Sequence, residues 1–157
     1  MPHTVRTASR IFEPRNSEWE ATVRGSFARQ GVMKLIGAEL VALAPGHCEI
    51  RLPFRDDLTQ QHGYFHAGVT ATIVDSAGGY AGFTLMPAGS EVLSVEFKLN
   101  LLAPADGEFL VAEGQVLKSG KNLVITRGEV YAIKNGRATH CATMQQTLMT
   151  MHPKKEK

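Results

Sequence analysis

The sequence predicts an α+β fold in which one long apolar helix packs against a single antiparallel sheet. Residues 67–89 carry a single charge, at Asp75, and end in Pro-Ala-Gly, which is typical of a buried helix followed by a turn. From residue 93 onward, apolar and polar residues alternate with period two between turn signals, which indicates strands with one buried face. Strands and helices do not alternate along the chain, so a doubly wound nucleotide-binding fold is not expected.

The composition is that of one ordinary folded domain spanning residues 1–157. With 43% hydrophobic and 20% charged residues, the chain is not expected to be disordered. The formal net charge of +2 gives no electrostatic reason to expect a nucleic-acid or membrane partner. Small residues dominate 67–89 and Asp75 lies within it, which argues against a membrane span. Two cysteines are too few for a disulfide framework and no secretory apolar region begins the chain, so a cytoplasmic location is predicted.

Helix and turn signals predict the first elements. Residues 1–16 are predicted to form a loose arm. Ser17 and Glu20 have the spacing of a capping box, which predicts the start of a helical segment over 17–34. Two short strands on either side of a Pro-Gly turn are predicted to follow as a hairpin, over residues 39–43 and 48–53.

The apolar stretch and the alternating region predict the remaining elements. A helix is expected over residues 67–85, and the charged tail at 152–157 is expected to fray. Four antiparallel strands are predicted to follow the helix as a meander, with Asn135-Gly136 as the strongest hairpin signal. These strands are Leu93–Leu101, Phe109–Leu117, Leu123–Ile133 and Ala138–Thr150.

Asp75 belongs to a stripe of small residues along the predicted helix. Mid-helix glycines cost up to about 1 kcal/mol relative to Ala, so the stripe indicates either close packing on another backbone or a ligand channel. Asp75 is accordingly either a functional acid or a structural hydrogen-bonding residue. The small residues within about 40° of Asp75 on a helical wheel are Gly68, Ala71, Gly79 and Gly82. The opposite, bulky face is predicted to pack on the sheet and comprises Val69, Ile73, Ala77, Tyr80 and Thr84.

The predicted helix begins at His66-Ala67-Gly68. Free backbone N–H groups at this end, together with the helix dipole, can stabilise an oxyanion. Asp75 lies roughly 12 Å further along the helix axis. A site that uses both the carboxylate and these N–H groups is therefore easier to build across a dimer interface than within one chain.

Other chemical motifs are weaker. His62 and His66 have a zinc-like spacing, but the segment is predicted to be a loop with no evident third ligand, so no metal is expected. Ser76 does not lie in a Gly-x-Ser-x-Gly elbow, and Cys141 is interpreted as a buried thiol. The basic turn Lys118-Ser119-Gly120-Lys121 is either simply solvated or able to hold a phosphate.

Four segments, in their order along the chain, form a recognisable pattern. The segments are Gln60-Gln61-His62-Gly63-Tyr64-Phe65-His66-Ala67-Gly68, Val74-Asp75-Ser76-Ala77, Ser94-Val95-Glu96-Phe97 and Asn100-Leu101-Leu102-Ala103-Pro104. Together with the basic turn, they resemble the hotdog-fold thioesterase superfamily, and most closely its PaaI-like branch. The resemblance extends over residues 35–150. It implies a long helix wrapped by a curved antiparallel sheet, dimers joined edge to edge through their sheets and paired into tetramers, and active sites at the dimer interface.

The resemblance also implies an activity, the hydrolysis of acyl-CoA thioesters without a metal ion or cofactor. It implies that Asp75 acts as general base or nucleophile, that His66 lies beside the thioester, and that the N–H of Ala67 polarises its carbonyl. Gln60 stands where many members have Asn, and Ala67 stands where many have Gly. We therefore expect the position of the water or carbonyl to shift, with Gln60 orienting one of them.

Ser94 matches a polar position near the family's site, but its place in the alternation points it away from the apolar face, so its role is expected to need the partner subunit.

The predicted function is hydrolysis of a small, medium-chain or aromatic acyl-CoA. Two alternatives remain: a non-catalytic acyl-CoA binding protein, and a dehydratase or hydratase. Asp75 argues against the second, because such enzymes usually show a His-led pair. The predicted substrate-binding residues are Gly68, Ser94, Lys118, Gly120 and Lys121. The two lysines are expected to contact the phosphates of CoA.

Overall fold

The computed structural model describes residues 11–153, in which three α-helices and six strands follow the predicted order. The helices are α1 (Trp19–Arg29), α2 (Gly31–Ile36) and α3 (Ala67–Phe83). The strands are β1 (Glu39–Ala44), β2 (His47–Pro53), β3 (Glu91–Leu101), β4 (Phe109–Ser119), β5 (Leu123–Lys134) and β6 (Arg137–Met151). Within the described residues, no helix is both long and apolar enough to cross a membrane.

All six strands form one antiparallel sheet in the order β1-β2-β4-β5-β6-β3, and α3 packs against it. The predicted four-strand meander is therefore wrong for β3, which pairs with β6 rather than with β4. The chain after Leu101 crosses to the other side of β5 and β6, where β4 pairs with β2. A local turn signal cannot reveal this crossing, because strand order depends on long-range pairing.

The apolar alternation of β3 is real, but its predicted buried face is largely exposed in the single chain. β3 is an edge strand, and the side chains of its exposed apolar residues are about half accessible. Exposed apolar residues along an unpaired edge are unusual for a stable monomer, since natural proteins protect such edges. The exposed fractions are 54% for Leu93, 54% for Val95, 46% for Phe97 and 57% for Leu101.

Part of the predicted loose arm contacts the body of the protein: Phe12 packs against the core and Asn16 is buried, although Ile11 is 91% exposed. Arg15 donates from Nε to the carbonyl of Leu85 at 2.8 Å and from Nη2 to that of Gly120 at 3.3 Å. The predicted capping role of Ser17 is also wrong, because the Asn16 side chain bonds the N–H of Glu18 instead. The rest of the predicted arm, residues 1–10, lies outside the described residues.

The described part of the predicted frayed tail also has contacts. His152 Nε2 lies 3.3 Å from Oδ1 of Asn122, and Pro153 lies beside Gly89. Residues 154–157 lie outside the described residues. The end of β6 is therefore anchored to neighbouring turns by at least these two residues.

Small residues of α3 also face the sheet, at Gly78 and Gly82, which corrects the predicted orientation of the helix. A Cβ on Gly114 of β4 would overlap the carbonyl of Ala77, so strand and helix backbones are nearly in contact. A Cβ on Gly82 would overlap the side chain of Leu148. Tyr80, from the predicted sheet-facing side, packs on α1 instead, since α1 covers the opposite side of α3. Close packing on the sheet therefore explains Gly78 and Gly82, whereas a Cβ on Gly79 would meet nothing within 4 Å.

Gly78→Ala and Gly79→Ala test this close packing as a matched pair. Both variants gain the same intrinsic helix propensity, up to about 1 kcal/mol. A Cβ at position 78 would overlap Oε1 of Gln146, whereas a Cβ at position 79 meets nothing within 4 Å. We expect Gly78→Ala to be less stable than Gly79→Ala by about 1–3 kcal/mol in urea unfolding followed by circular dichroism. Equal stabilities would contradict the close contact.

Candidate functional site

Asp75 is held by a hydrogen-bonded network that joins α3 to β3, β5 and β6. Its Oδ1 accepts from Ser94 Oγ at 2.7 Å and from Gln146 Nε2 at 2.5 Å. Gln146 is only 1% exposed. Its Oε1 in turn accepts from Thr126 Oγ1 at 2.9 Å, which fixes the orientation of the amide. Three side chains from three strands thus position one carboxylate.

The network leaves one oxygen of the carboxylate available. Among the described residues, no donor bonds Oδ2 of Asp75. A carboxylate whose Oδ1 is anchored and whose Oδ2 is open can accept a proton from a bound water or contact a substrate atom directly. The Asp75 side chain is half-buried, so its open oxygen is only partly accessible to solvent.

Ser94 reaches Asp75 of its own chain, which corrects the expectation that its role needs the partner subunit. The register of β3 against β6 shifts between Ser94 and Glu96. A bulge of this kind re-aims the neighbouring side chains. A prediction that assumes unbroken alternation along β3 does not contain this shift. For that reason it placed Ser94 on the wrong face of the sheet.

Gln146 is a candidate functional residue that the sequence analysis missed. In β6 it occupies the buried phase of the alternation, between Met144 and Leu148. A long polar side chain in that phase needs buried hydrogen-bond partners. This break in the apolar pattern is the signal that could have identified it.

Gln146→Met should impair activity through the loss of this anchor. The Met side chain has similar length but cannot donate to Asp75, so we expect kcat to fall about tenfold or more. The neighbouring Gln145 is exposed, so Gln145→Met is the matched control and should behave as wild type. Turnover of Gln146→Met within a few-fold of wild type would contradict the anchoring role.

A cavity of about 280 Å³ opens beside Asp75, between α3, the start of β3 and the end of α1. Gly79, one turn beyond Asp75, leaves room in its wall because it carries no side chain. The carboxylate and Ser94 also line the cavity. The volume is near the lower end of the range for small-molecule sites, so it suits a small group.

The start of α3 forms a second group of predicted site residues. His66 caps the helix, and its Nδ1 accepts from the N–H of Gly68 at 2.9 Å. The proton of the neutral imidazole therefore lies on Nε2. The N–H of Ala67 has no acceptor within residues 11–153. The Gln60 side chain accepts from the N–H of His62 and braces the preceding loop.

The two groups do not meet within one chain. Gln60 and Ala67 line a separate cavity, also of about 280 Å³, whose walls include Tyr64 and Cys141. This cavity shares no lining residue with the one beside Asp75. The axial separation of roughly 12 Å between Ala67 and Asp75 follows from their spacing on the helix. One thioester carbonyl therefore cannot contact both groups of the same chain.

The basic turn between β4 and β5 lies apart from both cavities. Lys118 and Lys121 are exposed, and the N–H of Gly120 bonds the carbonyl of Leu123 at 2.8 Å to close the turn. Lys121 lies beside Arg15 instead, at a shallow depression. Within the described residues, nothing brings the two lysines to Asp75.

Neither cysteine has the character of a nucleophile. Burial raises the pKa of Cys48 to about 12 and that of Cys141 to about 11. Both thiols are therefore protonated at neutral pH, and a protonated thiol reacts slowly. In residues 11–153, no three His, Cys, Asp or Glu side chains are grouped closely enough to hold a metal ion.

A carboxylate with one anchored oxygen, facing a small cavity on a sheet-wrapped helix, is the kind of site in which a water or a substrate carbonyl is activated. The known proteins that resemble this chain support a site of this kind. The sequence model of the thioesterase superfamily matches residues 62–139. A crystal structure of a thioesterase family protein from Silicibacter pomeroyi is 44% identical, with a TM-score of 0.85 over 86% of this chain and 99% of that one.

The chain belongs to the thioesterase superfamily and has its hotdog fold. Human acyl-coenzyme A thioesterase 13 is 34% identical over 88 residues, which are 55% of this chain and 62% of that protein. The PaaI protein of E. coli, from the phenylacetic acid degradation operon, shares the fold with a TM-score of 0.74 at 15% identity, over 85% of this chain and 94% of that one. The predicted fold class is confirmed, and the protein is a thioester hydrolase by family.

Proposed function

We propose that the protein hydrolyses the thioester of a small or aromatic acyl-CoA to the free acid and CoA, without a metal ion or cofactor. The observation that carries the proposal is the Asp75 carboxylate, anchored at Oδ1 and open at Oδ2, beside a cavity of about 280 Å³. The similarity to an acyl-coenzyme A thioesterase supports a CoA thioester as the substrate class.

In the proposed reaction, Oδ2 of Asp75 takes a proton from a water molecule as the water oxygen attacks the thioester carbon. The carbonyl oxygen becomes an oxyanion, which accepts a hydrogen bond from the N–H of Ala67 at the positive end of α3. The C–S bond then breaks, the carbonyl re-forms, and the proton held by Asp75 passes to the departing CoA sulfur. His66, with its proton on Nε2, lies at the same helix end and can donate to the substrate.

The site is completed, in this proposal, by two chains. One chain supplies Asp75 and the other supplies Ala67 and Gln60, because the two groups lie in separate cavities of one chain. The exposed apolar edge of β3 supports a dimer joined through the sheets, since pairing would cover this edge. Pairing of such dimers into tetramers, with Lys118 and Lys121 on the phosphates of CoA, belongs to the same proposal.

The experiment that tests the proposed function measures CoA thiol release from a panel of short, medium-chain and aromatic acyl-CoAs. We expect turnover with at least one of them, at a rate that does not change after chelator treatment. Calorimetric titration with the same compounds gives their binding in parallel. Tight binding without thiol release from any compound would overturn the proposal in favour of a binding protein.

A further inference from the structure

Thr70 lies in the wall of the cavity that also holds Ala67, one turn further along α3. Thr70 is 1% exposed, and much of the wall around it is apolar, with Phe65, Leu101 and Pro104. A hydroxyl buried among apolar side chains is costly unless it is hydrogen-bonded. Threonine is also a poorer helix former than alanine. Neither helix propensity nor apolar packing therefore accounts for a hydroxyl at this position.

The hydrogen bond that Thr70 makes leads directly to the proposed oxyanion donor. Its Oγ1 donates to the carbonyl oxygen of His66 at 3.4 Å. The same oxygen accepts from the backbone N–H of Val69 at 3.0 Å and from that of Thr70 at 3.1 Å. This carbonyl and the N–H of Ala67 belong to one peptide group. Three donors therefore hold the carbonyl end of a peptide group whose N–H has no acceptor in the described part of the chain.

Thr72 shows how another threonine of α3 bonds in the same position relative to the backbone. Its Oγ1 donates to the carbonyl oxygen of Gly68, also four residues earlier, at 2.7 Å. Thr72 is half-buried and lines neither of the two cavities at the site. The bond from Thr70 is longer than the usual O–H···O distance of about 2.7–2.8 Å. It can therefore shorten when the carbonyl of His66 becomes more negative.

We propose that Thr70 is a positioning residue for thioester hydrolysis, which acts through the His66–Ala67 peptide group to strengthen the N–H of Ala67 as a donor. The proposal rests on the proposed function, in which that N–H holds the oxyanion. Negative charge on the substrate oxygen shifts electron density of the peptide group toward its carbonyl oxygen, since linked hydrogen bonds polarise one another. The carbonyl then attracts the Thr70 hydroxyl more strongly, so this bond tightens in the transition state.

Thr70→Val tests the role of the hydroxyl, because valine keeps the shape of the side chain. We expect kcat for thiol release to fall about three- to tenfold. KM should stay within about twofold of wild type, because the bond tightens only in the transition state. Thr70→Ala also removes the hydroxyl and should lower kcat to a similar extent. Circular dichroism melting checks the fold of each variant.

Two further variants separate the hydroxyl from helix packing. Thr70→Ser keeps the hydroxyl without the methyl group and should retain most of the wild-type kcat. Thr72→Val is the matched control, because it removes a hydroxyl from the same helix outside both cavities, and it should keep the wild-type kcat. Unchanged kcat in Thr70→Val, or an equal loss in Thr70→Ser or Thr72→Val, would overturn the proposal.

A double-mutant cycle with Ala67→Pro tests whether Thr70 acts through the N–H. Proline has no N–H at this position, so adding Thr70→Val to Ala67→Pro should lower the residual kcat no further. A further loss equal to that of Thr70→Val alone would show that Thr70 acts by another route, and it would overturn the proposal while thioester hydrolysis stands. No thiol release by the wild-type protein from any acyl-CoA of the panel would overturn the proposed function and this inference together.

Discussion

Asp75→Asn should lower kcat for thioester cleavage by about a hundredfold or more, because the amide cannot take a proton from water. The Asn side chain keeps an Oδ1 that can accept from Ser94 and Gln146, so the network and the fold should survive. Thiol release under saturating acyl-CoA measures the effect, and circular dichroism checks the fold.

The matched control for this variant is Asp57→Asn. Asp57 is exposed and pairs with Arg55 at 2.6 Å, and it lines neither of the two cavities at the site. We expect wild-type turnover from this control. If Asp75→Asn also kept turnover within a few-fold of wild type, Asp75 could not be the group that activates water.

Ala67→Pro should reduce kcat by about a hundredfold or more, because proline removes the single N–H proposed to hold the oxyanion. The substitution suits the fold. Ala67 is the first residue of α3, where proline is favoured because its missing N–H would have no helical partner. The preceding His66 has φ −65° and ψ 140°, a conformation that residues before proline readily adopt.

The control for the missing N–H is Ala67→Gly, which keeps the donor and should retain most of the activity. Both variants should unfold at temperatures close to that of wild type in calorimetry. Full activity in Ala67→Pro would show that this N–H does not contact the substrate carbonyl in the rate-limiting step.

Local sequence patterns were sufficient to predict most of the helices and strands, although they did not divide the helical segment over 17–34 into α1 and α2 at Gln30. The period-two runs and turn signals after residue 93 placed β4, β5 and β6 within about two residues of their observed ends, which is within the usual uncertainty of boundaries. The long stretch with few charges correctly predicted α3. These elements are encoded by near neighbours in the chain, so the sequence alone determines them.

Long-range pairing was beyond those patterns. The crossing that places β3 beside β6 depends on contacts between residues about 50 positions apart, such as Ser94 with Leu148. The bulge after Ser94 then turns that side chain toward Asp75. Sequence spacing also could not show that α1 would cover Tyr80 and leave Gly78 and Gly82 of α3 for the sheet.

The residues of the candidate site divide in the same way, into those that local sequence patterns predict and those that depend on long-range contacts. Asp75, His66 and Ala67 could be proposed from a helix pattern and a family resemblance, since they lie on one continuous segment. The anchoring role of Gln146 could not, because it depends on a strand more than 60 residues further along the chain. The polar groups that α1 adds to the cavity could not be predicted either, because they line it only through the packing of α1 on α3.

A mixed dimer tests most directly the claim that Asp75 and the N–H of Ala67 act together from different chains. Asp75→Asn and Ala67→Pro are co-expressed with two different tags, and the doubly tagged dimer is isolated. In that dimer one site carries both defects and the other carries neither, so we predict about half of the wild-type rate of thiol release. If the mixed dimer is as inactive as either variant alone, the two groups belong to the same chain and the shared site is wrong.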